Sequence, residues 1–203
     1  IAGLALIPSL PGSAPEPREL SFFRAHRQIY TSPRLCAPAL GFVFYTVLFL
    51  AAVTFIPRAL GRPELEVSLP LVSLVGTLAG GFLCRRFAPD RVAAGGFLGM
   101  ALSTLPLFFG AEWAVYPHFF LMGLTPAASF AAIPHWNGGP GDRALATGAI
   151  AQQGNVGTGI GTPLFALSLG LAGPGALWWL IIAFSLGGMA VSLAMRRVIE
   201  RAE

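Results

Sequence analysis

The sequence predicts an all-α, polytopic membrane protein of six transmembrane helices, and three observations predict it. Of 203 residues, 55% are hydrophobic and only 11% are charged, less than half the ~25% that a water-facing domain carries. The 25 glycines and 17 prolines fall inside apolar runs rather than polar tracts, which excludes a disordered or low-complexity chain. The apolar residues gather into six long stretches, and mean hydropathy is +0.70.

The chain opens IAGLALIPSL, without a basic leader segment. Residues 1–10 therefore read as the tail of a preceding membrane helix rather than a signal peptide, and the chain as a fragment whose beginning lies upstream. Residues 11–34 are polar and proline-bearing, a cytoplasmic linker. Within it, Leu20 to Tyr30 suits a short interfacial helix with Phe22, Phe23 and Ile29 toward lipid and Arg24 and Arg27 outward.

The six-helix bundle spans 35–195. Its stretches run from Leu35 to Ile56, Val67 to Cys84, Val92 to Gly110, Trp113 to Pro134, Ala144 to Leu171 and Gly175 to Met195. None holds an internal Asp, Glu or Arg, and each is near the ~17–25 residues a helix needs to cross hydrocarbon. A β-barrel would alternate in ~10-residue segments, whereas these runs are apolar on every face. Residues 196–203 form a short basic tail.

Charge orients the bundle. All thirteen basic residues are arginine. Eleven lie in the linker, the 85–91 loop, the 135–143 loop and the tail, against Arg58 and Arg62 on the other side. That asymmetry predicts a cytoplasmic linker and C-terminus, in a bacterial cytoplasmic (inner) membrane. The absence of lysine removes a P-loop lysine and any Schiff-base lysine, so ATP-driven transport by this chain and retinal or pyridoxal chemistry are excluded. Arginines confined to short tracts between spans exclude a nucleic-acid face, despite a net charge of +4.

Chemistry-bearing motifs are few. Cys36 and Cys84 have no ligand-like spacing, and no nucleophile-elbow or zinc-helix pattern occurs. His118 and His135 lie near opposite ends of one helix, so no metal site is expected. No cofactor and no enzymatic activity are expected either. His118 is open to two readings, a proton-handling or ligand-binding group and an interfacial, hydrogen-bonded histidine.

Small and polar residues are more informative. Gly76 and Gly80, Gly95 and Gly99, and Gly157 and Gly161 stand four apart, the spacing that lets helix backbones approach closely. In the fifth span Thr147, Gln152, Asn155, Thr158 and Thr162 fall within an arc of about 140°, beside a face of Gly154, Gly157 and Gly161. Unpartnered amides are costly in hydrocarbon, so this stripe either lines a wet cavity or bonds other helices. The fourth span carries Tyr116, His118, Thr125 and Ser129 among three prolines, and the first carries Tyr45, Thr46 and Thr54. The second offers Ser73 and Thr77. Ser103 and Thr104 in the third span, and Ser185 and Ser192 in the sixth, read as hydroxyls bonding their own helices. The candidate cavity residues are Gln152, Asn155 and Thr158, then Tyr45, Tyr116 and Ser129.

The stretch GGFLCRRFAPDR, Gly80 to Arg91, is similar to the signature loop of major facilitator superfamily transporters, of the form GGxLaDRxGRR. Gly80, Gly81, Leu83, Arg86 and Phe87 match; Arg85 stands where an acidic residue is usual, and Asp90 and Arg91 close the stretch. The glycine- and amide-rich fifth span resembles that family's eleventh helix. With the linker and the six spans in the same order, the whole chain resembles the C-terminal six-helix half of such a transporter.

The resemblance implies a half-bundle of two inverted three-helix repeats, with the first, second, fourth and fifth spans facing the central cavity. It also implies a small-molecule substrate bound between this half and a missing N-terminal six-helix half, with rocking of the halves giving alternating access. The competing expectation is a self-contained six-helix protein, channel-like or a scaffold, working as a homodimer. In either case the lipid bilayer is the surrounding partner.

Overall fold

The computed structural model describes residues 21–202, and no strand occurs among them. The expected preceding-helix tail at 1–10, and the linker before residue 21, lie outside the described residues. Seven helices follow: α1 (Phe22–Thr31), α2 (Pro33–Ala59), α3 (Leu65–Leu83), α4 (Pro89–Phe108), α5 (Val115–Trp136), α6 (Pro140–Ala172) and α7 (Gly175–Arg201). A 3-10 turn, Glu112–Ala114, leads into α5.

The helix starts follow proline. Pro33, Pro89 and Pro140 each open a helix, where the missing N–H costs nothing and φ is already helical. Proline therefore carries α2, α4 and α6 a few residues further back than their apolar runs begin. At the other end, Gly173 takes φ 75° just past α6 and stops it. The sixth apolar run continues as helix through the basic tail to Arg201, where Arg196 and Glu200 pair along one face at 2.7 Å.

Four helices, α2, α3, α4 and α7, are long and apolar enough to cross a membrane, and the protein is membrane-embedded on that ground. α5 and α6 are long enough at 22 and 33 residues. Prolines, histidines and hydroxyls dilute the first, and glycines with Gln152, Gln153 and Asn155 dilute the second.

Packing arranges the helices in two layers. α3, α5, α2 and α6 stand side by side in a front row, while α4 backs α5 and α7 backs α2, the two backing helices also touching each other. Sequence neighbours α3 and α4 scarcely meet; α3 leans on α5 instead, and α6 on α2.

Glycine makes those two outer contacts possible. A Cβ on Gly76 of α3 would overlap the Phe120 carbonyl of α5, and one on Gly123 would overlap the Ser73 carbonyl. On the other flank, a Cβ on Gly157 would overlap Thr46 Oγ1, and one on Gly161 the Val47 carbonyl. With lipid as apolar as leucine, such close backbone contact is what holds membrane helices together. Between the layers lies a core of large side chains, including Phe97, Met100, Phe119, Met122, Phe165 and Ile181, all fully buried.

α1 lies across the ends of α2 and α6. Its Ile29, expected toward lipid, is buried with Leu35, Ile133 and Ile150. Phe23 is exposed, as are Arg24 and Arg27.

Candidate functional site

A groove of about 340 Å³ opens on the front row where α2, α5 and α6 meet. α6 supplies Thr147, Asn155 and Thr158, α2 supplies Phe42 and Thr46, and α5 supplies Phe130. The close α2–α6 approach at Gly154 and Gly157 forms its floor: a Cβ on Gly154 would sit 2.9 Å from the Phe42 ring. Helical periodicity then turns Asn155 and Thr158, one residue past each glycine, outward beside it.

The groove holds amide and hydroxyl groups and no charged side chain. Thr147 and Thr46 spend their hydroxyl protons on their own helices, on Arg143 O at 2.8 Å and Val43 O at 3.1 Å. The Thr147 oxygen therefore remains as an acceptor, whereas Thr46 Oγ1 is packed against Gly157 in the seam. Phe42 and Phe130 meet edge to face at 5.7 Å along the wall. Such a surface recognises an uncharged solute through a few hydrogen bonds against apolar walls.

The other sequence candidates occupy different places. Gln152 turns toward α1: its Oε1 accepts from the Tyr30 hydroxyl at 2.8 Å, and its amide nitrogen donates to His26 Nε2. The neighbouring Gln153 donates to the same Tyr30 oxygen at 2.7 Å. Tyr45 stands next to the groove in an aromatic ladder, 5.4 Å from both Phe42 and Phe49. Tyr116 is 45% exposed at the far end of α5, beside Arg62, Glu112 and Trp113. Ser129 faces away from the groove into a small chamber between the layers, shared with Gly41, Asp90 and Ser192.

The chain matches no family model, no curated protein and no solved structure.

The residues resembling a signature loop separate in the same way. Gly80 is buried against α5, where a Cβ would lie 2.9 Å from that of Ala127, while Gly81 faces open space. Arg86 and Arg91 are exposed. Asp90 is buried and accepts a hydrogen bond from Arg196 of α7 at 3.0 Å. At the opposite end of the bundle, Arg62 bonds Glu64 and reaches Glu112 at 3.2 Å. The hydrogen bond from Arg62 pulls the Glu64 carboxyl below its ordinary range.

Several partners escaped the sequence reading. His118 is fully buried between α4 and α5, its Nδ1 3.1 Å from Ser103 Oγ and 3.4 Å from Thr104 Oγ1. Both hydroxyls donate to Met100 O, at 3.1 and 2.7 Å, so the ring donates from Nδ1 and leaves Nε2 bare. Ser103 and Thr104 do bond their own helix, as expected, and anchor the histidine with what remains. Among the described residues, no group of three His, Cys, Asp or Glu side chains could hold a metal ion.

One signal in the sequence could have revealed the flanks. Val75-Gly76-Thr77 with Gly80 in α3 recurs as Val156-Gly157-Thr158 with Gly161 in α6. In both copies the two glycines form the seam.

Proposed function

We propose that this chain is the C-terminal six-helix half of a secondary transporter of the major facilitator type, moving a small uncharged solute across the membrane by alternating access. The exchange pattern of the helix pairs carries the reading. Replacing α2, α3 and α4 by α5, α6 and α7 turns the α2–α6 contact into α5–α3, and α2–α7 into α5–α4. The Val-Gly-Thr copies lie on α3 and α6, the two helices that trade places. Consecutive spans run in opposite directions, so the two triplets form inverted repeats, the architecture that builds midplane binding sites in transporters.

On this reading α5 and α6 also cross the membrane, as the fourth and fifth spans, and their polarity suits helices that line a wet cavity rather than face lipid. Asn155 and Thr158 hold the solute in the groove, with Tyr45 stiffening its wall and Gln152 tying the groove to α1. Tyr116 and Ser129, which the groove does not include, are left outside the solute site. The second six-helix half closes over the front row, and the arginine-rich end lies in the cytoplasm.

The test needs no substrate. In the full-length protein with Cys36 and Cys84 replaced by serine, Asn155→Cys should react with a membrane-impermeant thiol reagent from either side of the membrane, and Leu102→Cys on the back of α4 from neither. An Asn155→Cys protein closed to reagent from both sides overturns the reading. Reaction from one side alone, in a protein sized as two copies of a six-helix chain, favours the homodimer.

A further inference from the structure

The turn joining α3 to α4 carries three guanidinium groups that no carboxylate answers. Arg85, Arg86 and Arg91 are exposed and form no ion pair among the described residues. The turn's own carboxylate, Asp90, is 8% exposed and already bonded to Arg196. Three uncompensated cations within seven residues are an electrostatic demand that the fold leaves open.

The backbone fixes where two of them stand. The Arg85 and Arg86 N–H groups donate to Phe82 O and Leu83 O at 3.1 and 3.0 Å, and Phe87 N–H donates to Leu83 O at 2.9 Å. The turn is wound tightly on the last turn of α3. Phe82, Leu83, Arg85 and Arg86 together border an open groove of about 580 Å³.

The apolar surroundings distinguish this site from an ordinary basic loop. Phe82 is 68% and Phe87 54% exposed. Above them Leu71, Leu74 and Leu78 are exposed along the same outward side of α3, at helical spacings of three and four. An apolar track thus runs down a membrane helix and ends at paired guanidinium groups.

We propose that this groove binds the phosphate of an anionic phospholipid, with an acyl chain lying along α3 and the phosphate held by Arg85 and Arg86. Guanidinium matches phosphate with paired N–H donors, and the exposed phenyl rings sit where the glycerol and first methylenes would lie. Inorganic phosphate would use the arginines and leave the track bare; the lipid uses both. The inference rests on the membrane embedding, with the side of α3 opposite its seam with α5 facing lipid.

The test uses the full-length protein in nanodiscs of phosphatidylcholine with a minor share of phosphatidylglycerol, followed by native mass spectrometry of retained lipid. Wild type should keep phosphatidylglycerol in preference to phosphatidylcholine. Arg85→Gln/Arg86→Gln should lower that preference about tenfold, the loss of one charge-assisted bond's worth of affinity. Arg197→Gln/Arg201→Gln, equal in charge removed, should leave it intact. Should the glutamine pair fail to fold, Arg85→Lys/Arg86→Lys keeps the charge without the planar fork, and its preference should fall short of wild type.

Equal retention of both lipids by wild type overturns the proposal and assigns the arginines to carboxylates elsewhere in the protein. Equal losses in the two glutamine pairs reduce the effect to net charge and overturn it too. Competition by free glycerol phosphate at the concentration that displaces the lipid makes this a soluble-phosphate site, which also overturns it.

Discussion

Arg196, near the end of α7, donates to Asp90 at the start of α4 across 3.0 Å, and so ties together two helices that begin 86 residues apart in the chain (Pro89 and Gly175). The second Asp90 oxygen has no protein partner and is buried. Losing Arg196 therefore leaves a buried carboxylate without its ion-pair partner.

The first prediction concerns this pair. Arg196→Gln should cost about 2 kcal/mol, the worth of a hydrogen bond to a charged group. The double variant with Asp90→Asn should recover part of that loss. Thermal unfolding of the four proteins in detergent gives the coupling, and strictly additive losses would refute it.

The glycine seams predict an opposite pair of outcomes for one substitution. Gly76→Ala places a methyl group on the Phe120 carbonyl and should destabilise by roughly 2 kcal/mol or more. Gly81→Ala and Gly159→Ala enter open space and should be neutral or stabilising by up to about 1 kcal/mol through helix propensity. Resistance to unfolding in sodium dodecyl sulfate ranks the three.

His118 yields a third prediction. Removing both hydroxyls, in Ser103→Ala/Thr104→Ala, leaves the buried ring with the Met100 carbonyl as its remaining partner and should cost roughly 1–3 kcal/mol. Adding His118→Leu to that background should return most of the loss, because an apolar side chain of similar reach needs no partner. Failure of the triple variant to recover would show that the ring's packing, rather than its hydrogen bonding, holds α4 to α5.

Tyr30 links α1 to both glutamines of α6 through one oxygen. Tyr30→Phe should loosen that clasp by about 1 kcal/mol and speed amide hydrogen exchange across Phe22–Thr31, leaving α6 protected. Unchanged exchange in that segment would place the anchorage on Ile29 and the Gln152–His26 bond instead.

The helices were legible because hydrocarbon demands long uncharged runs and the chain supplies six. Their pairing was not. Gly76 and Gly157 announced close contact, but the spacing does not say with which helix, and the partners are a glycine-centred stretch of α5 and the Thr46 region of α2. The polar stripe of α6 was visible at its full width, yet a helical wheel treats Gln152 and Asn155 alike. Only α1, lying across the end of α6, draws Gln152 away and leaves Asn155 on the groove. Ser103 and Thr104 looked self-sufficient for the same reason: the histidine that uses their second lone pairs sits on another helix. The Ile29 assignment went astray because periodicity finds an apolar face without identifying whether lipid or protein covers it.

At Gly76, Gly123 and Gly161 peptide rests on peptide, with no side chain between them that could yield. Sliding α3 against α5, or α6 against α2, would drive carbonyls into α-carbons, so each couple is stiff in shear and turns as a single plank. Whatever flexing this bundle undergoes is thereby concentrated on the softer, ring-filled boundary between the planks, and a probe pair straddling α2 and α5 would register movement that a pair within either couple would miss.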